Sequence, residues 1–256
     1  MIALFDSGLG GLSVLRAVRA VLPQHDLVYF ADSAACPYGP RPVAFVRARS
    51  LAIGRWLVAQ GAQVLVVACN TASSAALDDL RAVLPIPVVG MEPGLKPAVA
   101  ATRSGVVGIL ATSNTLCGER LAALVTRFAD GVEVLTQPCP GLVEQVEAGD
   151  LASVATQRLV QAYVQPLLAR GADTLVLGCT HYPFLRSLIA DAAGAGVVII
   201  DTGPAVARQV ARVAASQRLA ANVGDVRAWT TGDPTLVASA LEGLAGAHVV
   251  VAHALV

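Results

Sequence analysis

Aromatic residues make up only 4% of this 256-residue chain and charged residues only 14%, against 55% hydrophobic. With so few rings the core has to be aliphatic, built from Ala, Val and Leu. With so much apolar material, extended disorder is excluded. Neither sign of charge is in excess, since Lys plus Arg and Asp plus Glu are 18 each. A neutral chain is a poor general binder of polyanions, so no nucleic-acid partner is expected. No window of about 18 residues is free of charge or turn signals, which argues against a membrane span. The opening segment has no basic stretch and reaches Asp6 early, so it does not read as a signal peptide. The expectation is a cytoplasmic protein. The five cysteines (Cys36, Cys69, Cys117, Cys139, Cys179) include no C-x-x-C pair, which removes the pattern of a disulfide framework or a zinc knuckle. The four histidines are scattered, and no metal is expected. Lysine is almost absent: Lys96 is the only one, between Leu95 and Pro97. A pyridoxal enzyme needs a Schiff-base lysine, and this is a poor place for one.

What is present is a regular alternation. Short apolar runs at Ile2–Phe5, Leu27–Phe30, Val64–Ala68, Pro87–Val89, Val106–Leu110, Val132–Leu135, Thr174–Leu177, Val197–Ile200, Val226–Trp229 and His248–Val251 read as buried strands. Between them lie helical patterns such as Leu12–Leu22 and Val43–Ala59. Strands alternating with helices predict βαβ units and mostly parallel sheets. Runs that do not alternate apolar with polar suit sheets covered on both faces. The Pro-rich segment Pro85–Pro97 is the candidate crossing between two domains.

The chain also repeats itself. Gly61-Ala-Gln-Val-Leu-Val-Val-Ala-Cys69-Asn-Thr71 aligns with Gly171-Ala-Asp-Thr-Leu-Val-Leu-Gly-Cys179-Thr-His181. Each copy sets a cysteine just past a strand, at the carboxyl end where open α/β sheets bind ligands. Two similar domains would bring both cysteines to one cleft. A redox pair usually comes as C-x-x-C, and a metal site needs more ligands than Cys69, Cys179 and His181 supply. Opposed acid and base groups remain, the pair that racemisation requires.

Asp6-Ser-Gly-Leu-Gly-Gly11 forms a Gly-rich turn between strand and helix. It lacks the third glycine of a dinucleotide loop, where Ser13 stands, and the Gly-Lys-Ser/Thr of a phosphate loop. Its N–H groups suit a carboxylate and Asp6 suits a cation, a pairing that fits an amino-acid zwitterion. Cys117 and Cys139 read as packing residues, and His25, His248 and His253 as surface or strand-end residues.

Together these segments resemble the cofactor-independent aspartate/glutamate racemase superfamily. Phe5-Asp-Ser-Gly-Leu-Gly-Gly11 resembles its opening motif. Asp32-Ser33, Pro37-Tyr-Gly39 and Arg41 resemble its D-x-x-x-x-P-Y-G region. Val67-Ala-Cys-Asn-Thr-Ala-Ser73 and Gly178-Cys-Thr-His-Tyr-Pro183 resemble its two catalytic cysteine motifs, and Met91-Glu-Pro93 with Lys96-Pro97 its middle segment. The resemblance implies Cys69 and Cys179 as the two bases. Asp6 is implied beside the first thiol, His181 beside the second, and Glu147 as the second-side carboxylate. Glu144, where many relatives carry proline, is the alternative to Glu147. Asp6, Ser7, Tyr38, Gly39, Asn70, Thr71, Thr115, Thr180 and His181 match substrate-binding positions.

The expected fold is α/β, with two similar, pseudo-twofold-related domains of mostly parallel sheets flanked by helices and the site in the cleft. Met1–Glu92 with Ala205–Val256 forms the first domain, carrying Asp6 and Cys69. Pro93–Pro204 forms the second, carrying Glu147 and Cys179. The implied reaction interconverts L- and D-glutamate without a cofactor and supplies D-glutamate for peptidoglycan. Rival readings are an aspartate or hydantoin racemase, a one-cysteine decarboxylase, and a non-enzymatic amino-acid-binding protein. Assembly is left open, with a homodimer as the state to test.

Overall fold

The structure, a computed structural model, describes residues 1–246 and 249–256. The chain runs β1 (Ile2–Asp6), α1 (Leu12–Val21), β2 (Leu27–Ala31), α2 (Val43–Ala59), β3 (Val64–Val67), α3 (Asn70–Val83) and β4 (Val88–Val89). It continues through α4 (Leu95–Ala101), β5 (Val106–Ala111), α5 (Ser113–Leu116), α6 (Glu119–Phe128), β6 (Glu133–Pro138), α7 (Leu142–Glu147), α8 (Val154–Ala169) and β7 (Thr174–Leu177). Last come α9 (Arg186–Ala193), β8 (Val198–Ile200), α10 (Gly203–Ser216), β9 (Val226–Thr230), α11 (Pro234–Ala245) and β10 (Val251–His253). The strand expected at His248–Val251 starts outside the described residues. The strand observed there begins at Val251.

Two sheets form, in the orders β10-β9-β2-β1-β3-β4 and β6-β5-β7-β8. Every pairing among the described residues is parallel. β2-β1-β3-β4 and β6-β5-β7-β8 share one order when each is counted from its own first strand. In that correspondence β3 matches β7, the two strands that the internal repeat identifies. Both chain crossings between the sheets are visible. After β4, Leu95 and Ala98 of α4 pack with Val107, Ile109 and Val176 of the second sheet. After β8, α10 returns to the first sheet, where Val206, Ala207 and Val210 join the core of α1, and β9 pairs with β2.

The first sheet shows why its strands are apolar at every position. β1, β2 and β3 are buried throughout. Ile2, Leu4, Tyr29, Val64 and Val66 face the layer of α1 and α10. Ala3, Phe5, Val28, Phe30, Leu65 and Val67 face the layer of α2 and α3. Successive side chains point to opposite faces, and both faces meet a helix. The edge strand β6 differs: only Leu135 is fully buried, and Pro138 closes the strand where no further N–H is needed.

The repeat extends to its hydrogen bonds. Gly61 ends α2 and Gly171 ends α8, each with φ +90°. Gly61 N–H donates to Val58 O and Ala62 N–H to Leu57 O at 2.9 and 3.1 Å; Gly171 and Ala172 do the same to Leu168 O and Leu167 O at 2.8 and 3.1 Å. This left-handed turn delivers the chain straight into β3 or β7. A Cβ meets no close contact at Gly61 and only Val106 at 3.9 Å at Gly171, so the cost of a side chain there is conformational. Gly61→Ala and Gly171→Ala should each lower unfolding free energy by ~1–2 kcal/mol in urea melts, with an unchanged denaturant slope. No change would mean that these turns do not need glycine.

Candidate active site

The carboxyl ends of β1, β3, β5 and β7 meet. Ser7, Pro37, Tyr38, Gly39, Cys69, Asn70, Thr71, Thr112, Val143, Cys179, Thr180 and His181 line one narrow space of about 10 Å³, room for roughly one water. Both thiols open onto it, Cys69 from the end of β3 and Cys179 from the end of β7. Nine of the residues singled out from sequence line it.

Cys69 is the N-cap of α3, and its sulfur accepts from Ala72 N–H at 3.5 Å. It also contacts the Ser7 hydroxyl at 3.9 Å. Burial, and then the charge of Asp6, push the Cys69 thiol well above its ordinary value. Cys179 stands differently. No long helix follows it, only the tight turn Tyr182–Leu185, and its sulfur lies 3.7 Å from His181 Nδ1. The other ring nitrogen, Nε2, is 2.6 Å from Glu147 Oε1. Burial pulls His181 down, but contacts to Cys179, Cys36 and Glu147 outweigh it and hold the imidazole well above its usual range. Burial likewise raises Glu147, and its bonds to His181 and Leu9 outweigh that and lower it. Gly10 N also lies 3.2 Å from Nε2. With a proton on Nε2 that approach is not a hydrogen bond, and the shorter carboxylate contact prevails.

The residues that do not line the space stand directly behind it. Asp6 is fully buried, and burial raises its carboxyl. It accepts from Ser7 Oγ, from Gly8 N–H at 2.8 Å and from Thr180 Oγ1 at 2.8 Å. Thr115 backs Thr112, their hydroxyls 3.0 Å apart, and Thr71 joins both at 2.9 Å to Thr112 and 3.4 Å to Thr115. Of the two candidate carboxylates, Glu147 is the one on His181, while Glu144, one turn earlier in α7, is exposed. Tyr38 is 1% exposed, and its hydroxyl donates to Asp32 Oδ2 at 2.5 Å. Asp32 is held in turn by Arg49, at 2.6 and 2.9 Å, and by Thr231. The Asn70 amide is buried with neither its oxygen nor its nitrogen partnered. Such a group is costly unless a ligand completes it.

Glycines 8 and 10 have a structural reason. A Cβ on Gly8 would sit 2.2 Å from Glu147 Oε1, and one on Gly10 2.3 Å from His181 Nδ1. The bare loop lets β1 close onto the His181–Glu147 pair. Leu9 N–H donates to Glu147 Oε1 at 2.6 Å, so the loop's N–H groups hold the protein's own carboxylates.

Sequence reasoning missed Thr112, Pro37 and Val143 in the lining. Thr112 follows β5 as Ser7 follows β1, so the shared strand order is the signal that locates it. It also gave Cys36 no role, although that sulfur faces the same pair. Cys139 is buried, as expected of packing. Cys117 is not: it is exposed, because the four-residue α5 turns Thr115 and Leu116 inward and ends at the surface one residue later.

The Asp/Glu/Hydantoin racemase family model matches residues 12–210. A glutamate racemase of Methylococcus capsulatus is 58% identical over 211 residues, 82% of this chain and 78% of that protein. Among solved structures, a glutamate racemase isoform of Bacillus anthracis superposes with TM-score 0.92 at 31% identity, covering 100% of this chain and 97% of the other. The Escherichia coli glutamate racemase in complex with L-glutamate and the activator UDP-MurNAc-Ala superposes with TM-score 0.86 at 31% identity, covering 98% and 97%. Among the described residues, no helix is long and apolar enough to cross a membrane.

The ion pair behind Cys179 has a measurable signature. His181, raised in the folded state, stabilises fully below its unfolded value of ~6.5 and loses this as pH rises through the folded value. Glu147, lowered, contributes above ~4.3 and loses this as pH falls. The stability lost in Glu147→Gln should therefore peak between about pH 4.5 and 6.5. Imidazole NMR should show His181 titrating lower in the variant. An unmoved His181 titration would contradict the pairing.

Proposed function

The chain belongs to the Asp/Glu/hydantoin racemase family and is an amino-acid racemase, and we propose that it interconverts L- and D-glutamate with two cysteines as opposed acid and base, without a cofactor. The observation that supports this most is that Cys69 and Cys179, one from each sheet, line one cavity. Removing an α-proton from one face and returning one to the other needs a proton carrier on each side.

In this reading Asp6, Ser7, Tyr38, Gly39, Asn70, Thr71, Thr115, Thr180 and His181 hold the amino acid or the groups that touch it. The unpaired Asn70 amide offers both a donor and an acceptor to the zwitterion. The space between the thiols is far smaller than glutamate, so the loops of the two sheets part to admit it and close again. Closure excludes water, which strengthens every charge interaction on the poor carbanion that develops.

The two thiols then differ in supply. A free thiol at neutral pH is only a few per cent ionised, and Cys69 is raised further by burial and Asp6. Cys69 therefore rests as the protonated partner. His181 Nδ1 is placed to take the Cys179 proton and return it, with Glu147 steadying the imidazole. Cys179 abstracts from L-glutamate and Cys69 from D-glutamate. The product D-glutamate feeds peptidoglycan synthesis. Met1–Glu92 with Ala205–Val256, and Pro93–Pro204, are the two domains that move.

Incubation with L-glutamate in deuterium oxide should give D-glutamate carrying one deuterium at Cα. No exchange by the folded, reduced protein would overturn the reading in favour of a binding protein. Cys69→Ser and Cys179→Ser should each lower racemisation by at least ~100-fold, the low end of what a positioned acid or base contributes. Elimination from an analogue with a good leaving group needs only one base. Cys69→Ser should keep it for the L-analogue and Cys179→Ser for the D-analogue. Equal loss of both in both variants would contradict the two-base assignment.

A further inference from the structure

Cys36 has no part in the reaction above, yet its sulfur sits against two groups that do. Cys36 Sγ, a Glu147 carboxylate oxygen and a His181 ring nitrogen all lie within 4.8 Å of one another. The sulfur and the carboxylate press on Gly8, where a Cβ would meet them at 2.8 and 2.2 Å. We propose that Cys36, Glu147 and His181 form a site for one Zn²⁺ ion, adjoining the substrate cavity that His181 lines, whose occupation switches the enzyme off.

The donor set carries the argument. One sulfur, one imidazole nitrogen and one carboxylate oxygen, with water as the fourth ligand, is a combination that zinc accepts and that hard cations do not. Zinc–donor distances of ~2.0–2.3 Å put tetrahedral donors roughly 3.3–3.7 Å apart. The 2.6 Å His181–Glu147 contact has to open by roughly 0.7–1.1 Å for that geometry, and the sulfur, within 4.8 Å of both, has to close by at most about 1.5 Å. His181 Nδ1 is engaged by Cys179, so Nε2 is the ligating nitrogen. Leu9 N–H already fixes the Glu147 oxygen, the kind of outer contact that orients a metal ligand.

Charge and access agree with the donors. The ion displaces the Cys36 thiol proton and the Nε2 proton, both of which pass to solvent. Thiolate and carboxylate then balance its two charges. An ion need not pass between the thiols, because Glu147 also lines an open cavity of about 500 Å³ beside Ser33, Gly232 and Leu236 of the α11 side. Once Nε2 is occupied, the remaining imidazole proton sits on Nδ1. His181 then cannot take up the Cys179 proton, and racemisation stops in both directions. The inhibition rests on the function proposed above; the binding does not.

The test is a titration of reduced, chelator-treated protein with Co²⁺ as the spectroscopic probe, followed by competition with Zn²⁺. One equivalent should bind, with the visible bands of four-coordinate cobalt and a near-ultraviolet thiolate-to-cobalt band. Cys36→Ser should lose the thiolate band and weaken Zn²⁺ binding at least ~100-fold, since loss of even an outer partner costs ~10–100-fold. Glu147→Gln should weaken binding but keep the thiolate band, which covers the case in which Cys36→Ser fails to fold. Cys69→Ser and Cys117→Ser should retain band and affinity. No stoichiometric binding, a thiolate band that survives Cys36→Ser, or one lost in Cys69→Ser would each overturn the site. Wild-type racemisation should fall with the same Zn²⁺ dependence as binding. A protein that binds cobalt as described but does not racemise glutamate would keep the site and sink the function, whereas a racemase that binds the metal and is indifferent to Zn²⁺ would sink the switch alone.

Discussion

A buried carboxylate has to be surrounded by donors, and Asp6 draws them from both halves of the molecule. Its own sheet supplies Ser7 and Gly8, and the other supplies Thr180. Left without Thr180, a fully buried oxygen would lose a charge-assisted bond at a cost of about 1–3 kcal/mol. That requirement pins the carboxyl end of β1 against the turn after β7. The rest of the cleft follows from it. Ser13 Oγ donates to Thr180 O at 2.9 Å, Leu9 N–H reaches Glu147, and the threonines at 71, 112 and 115 close the other side. Apart from Phe184, which packs against the apolar cores of both halves, these contacts are hydrogen bonds. Such contacts can be exchanged for water when the cleft parts, at far lower cost than exposing core side chains.

The same closeness explains why the loop after β1 is rich in glycine. A reading from sequence alone weighs phosphate, dinucleotide or substrate carboxylate for such a loop. Here the occupants of its N–H groups are Asp6 and Glu147. Glycine is needed because a histidine and a glutamate from the other sheet press on the backbone, not because an anionic ligand must approach it. The sequence contains the glycines but not what lies 138 or 171 residues further along.

Much of the fold was legible for a similar reason. Strands buried on both faces advertise themselves as uninterrupted apolar runs, and nine of the ten expected runs coincide with observed strands to within about three residues, the usual uncertainty of boundaries. The tenth starts outside the described residues. The lining of the site was legible where it lies next to a motif, as Cys69-Asn-Thr71 and Cys179-Thr-His181 do. It was illegible where it depends on sheet order. Thr112 is an ordinary threonine until β5 is seen to stand in the second sheet as β1 stands in the first. Cys117 failed in the opposite direction: a cysteine is usually buried, but a four-residue helix ending at the surface offers nothing to bury it.

The two halves share strand order, helix-ending glycines and the position of a cysteine, yet they do not share chemistry. Cys69 opens a fourteen-residue helix and has an aspartate behind it. Cys179 opens a 3₁₀ turn and has an imidazole behind it. A helix N-terminus favours a thiolate, but burial and Asp6 oppose it at Cys69, and the net direction is upward. At Cys179 the helix is missing and a proton acceptor takes its place. A duplicated fold thus brings two equivalent positions to one point, and the residues behind each position differentiate them. The proposed reaction draws on that difference: on one side of an α-carbon stands a thiol that burial and Asp6 keep protonated, and on the other a thiol with an imidazole nitrogen within reach of its sulfur.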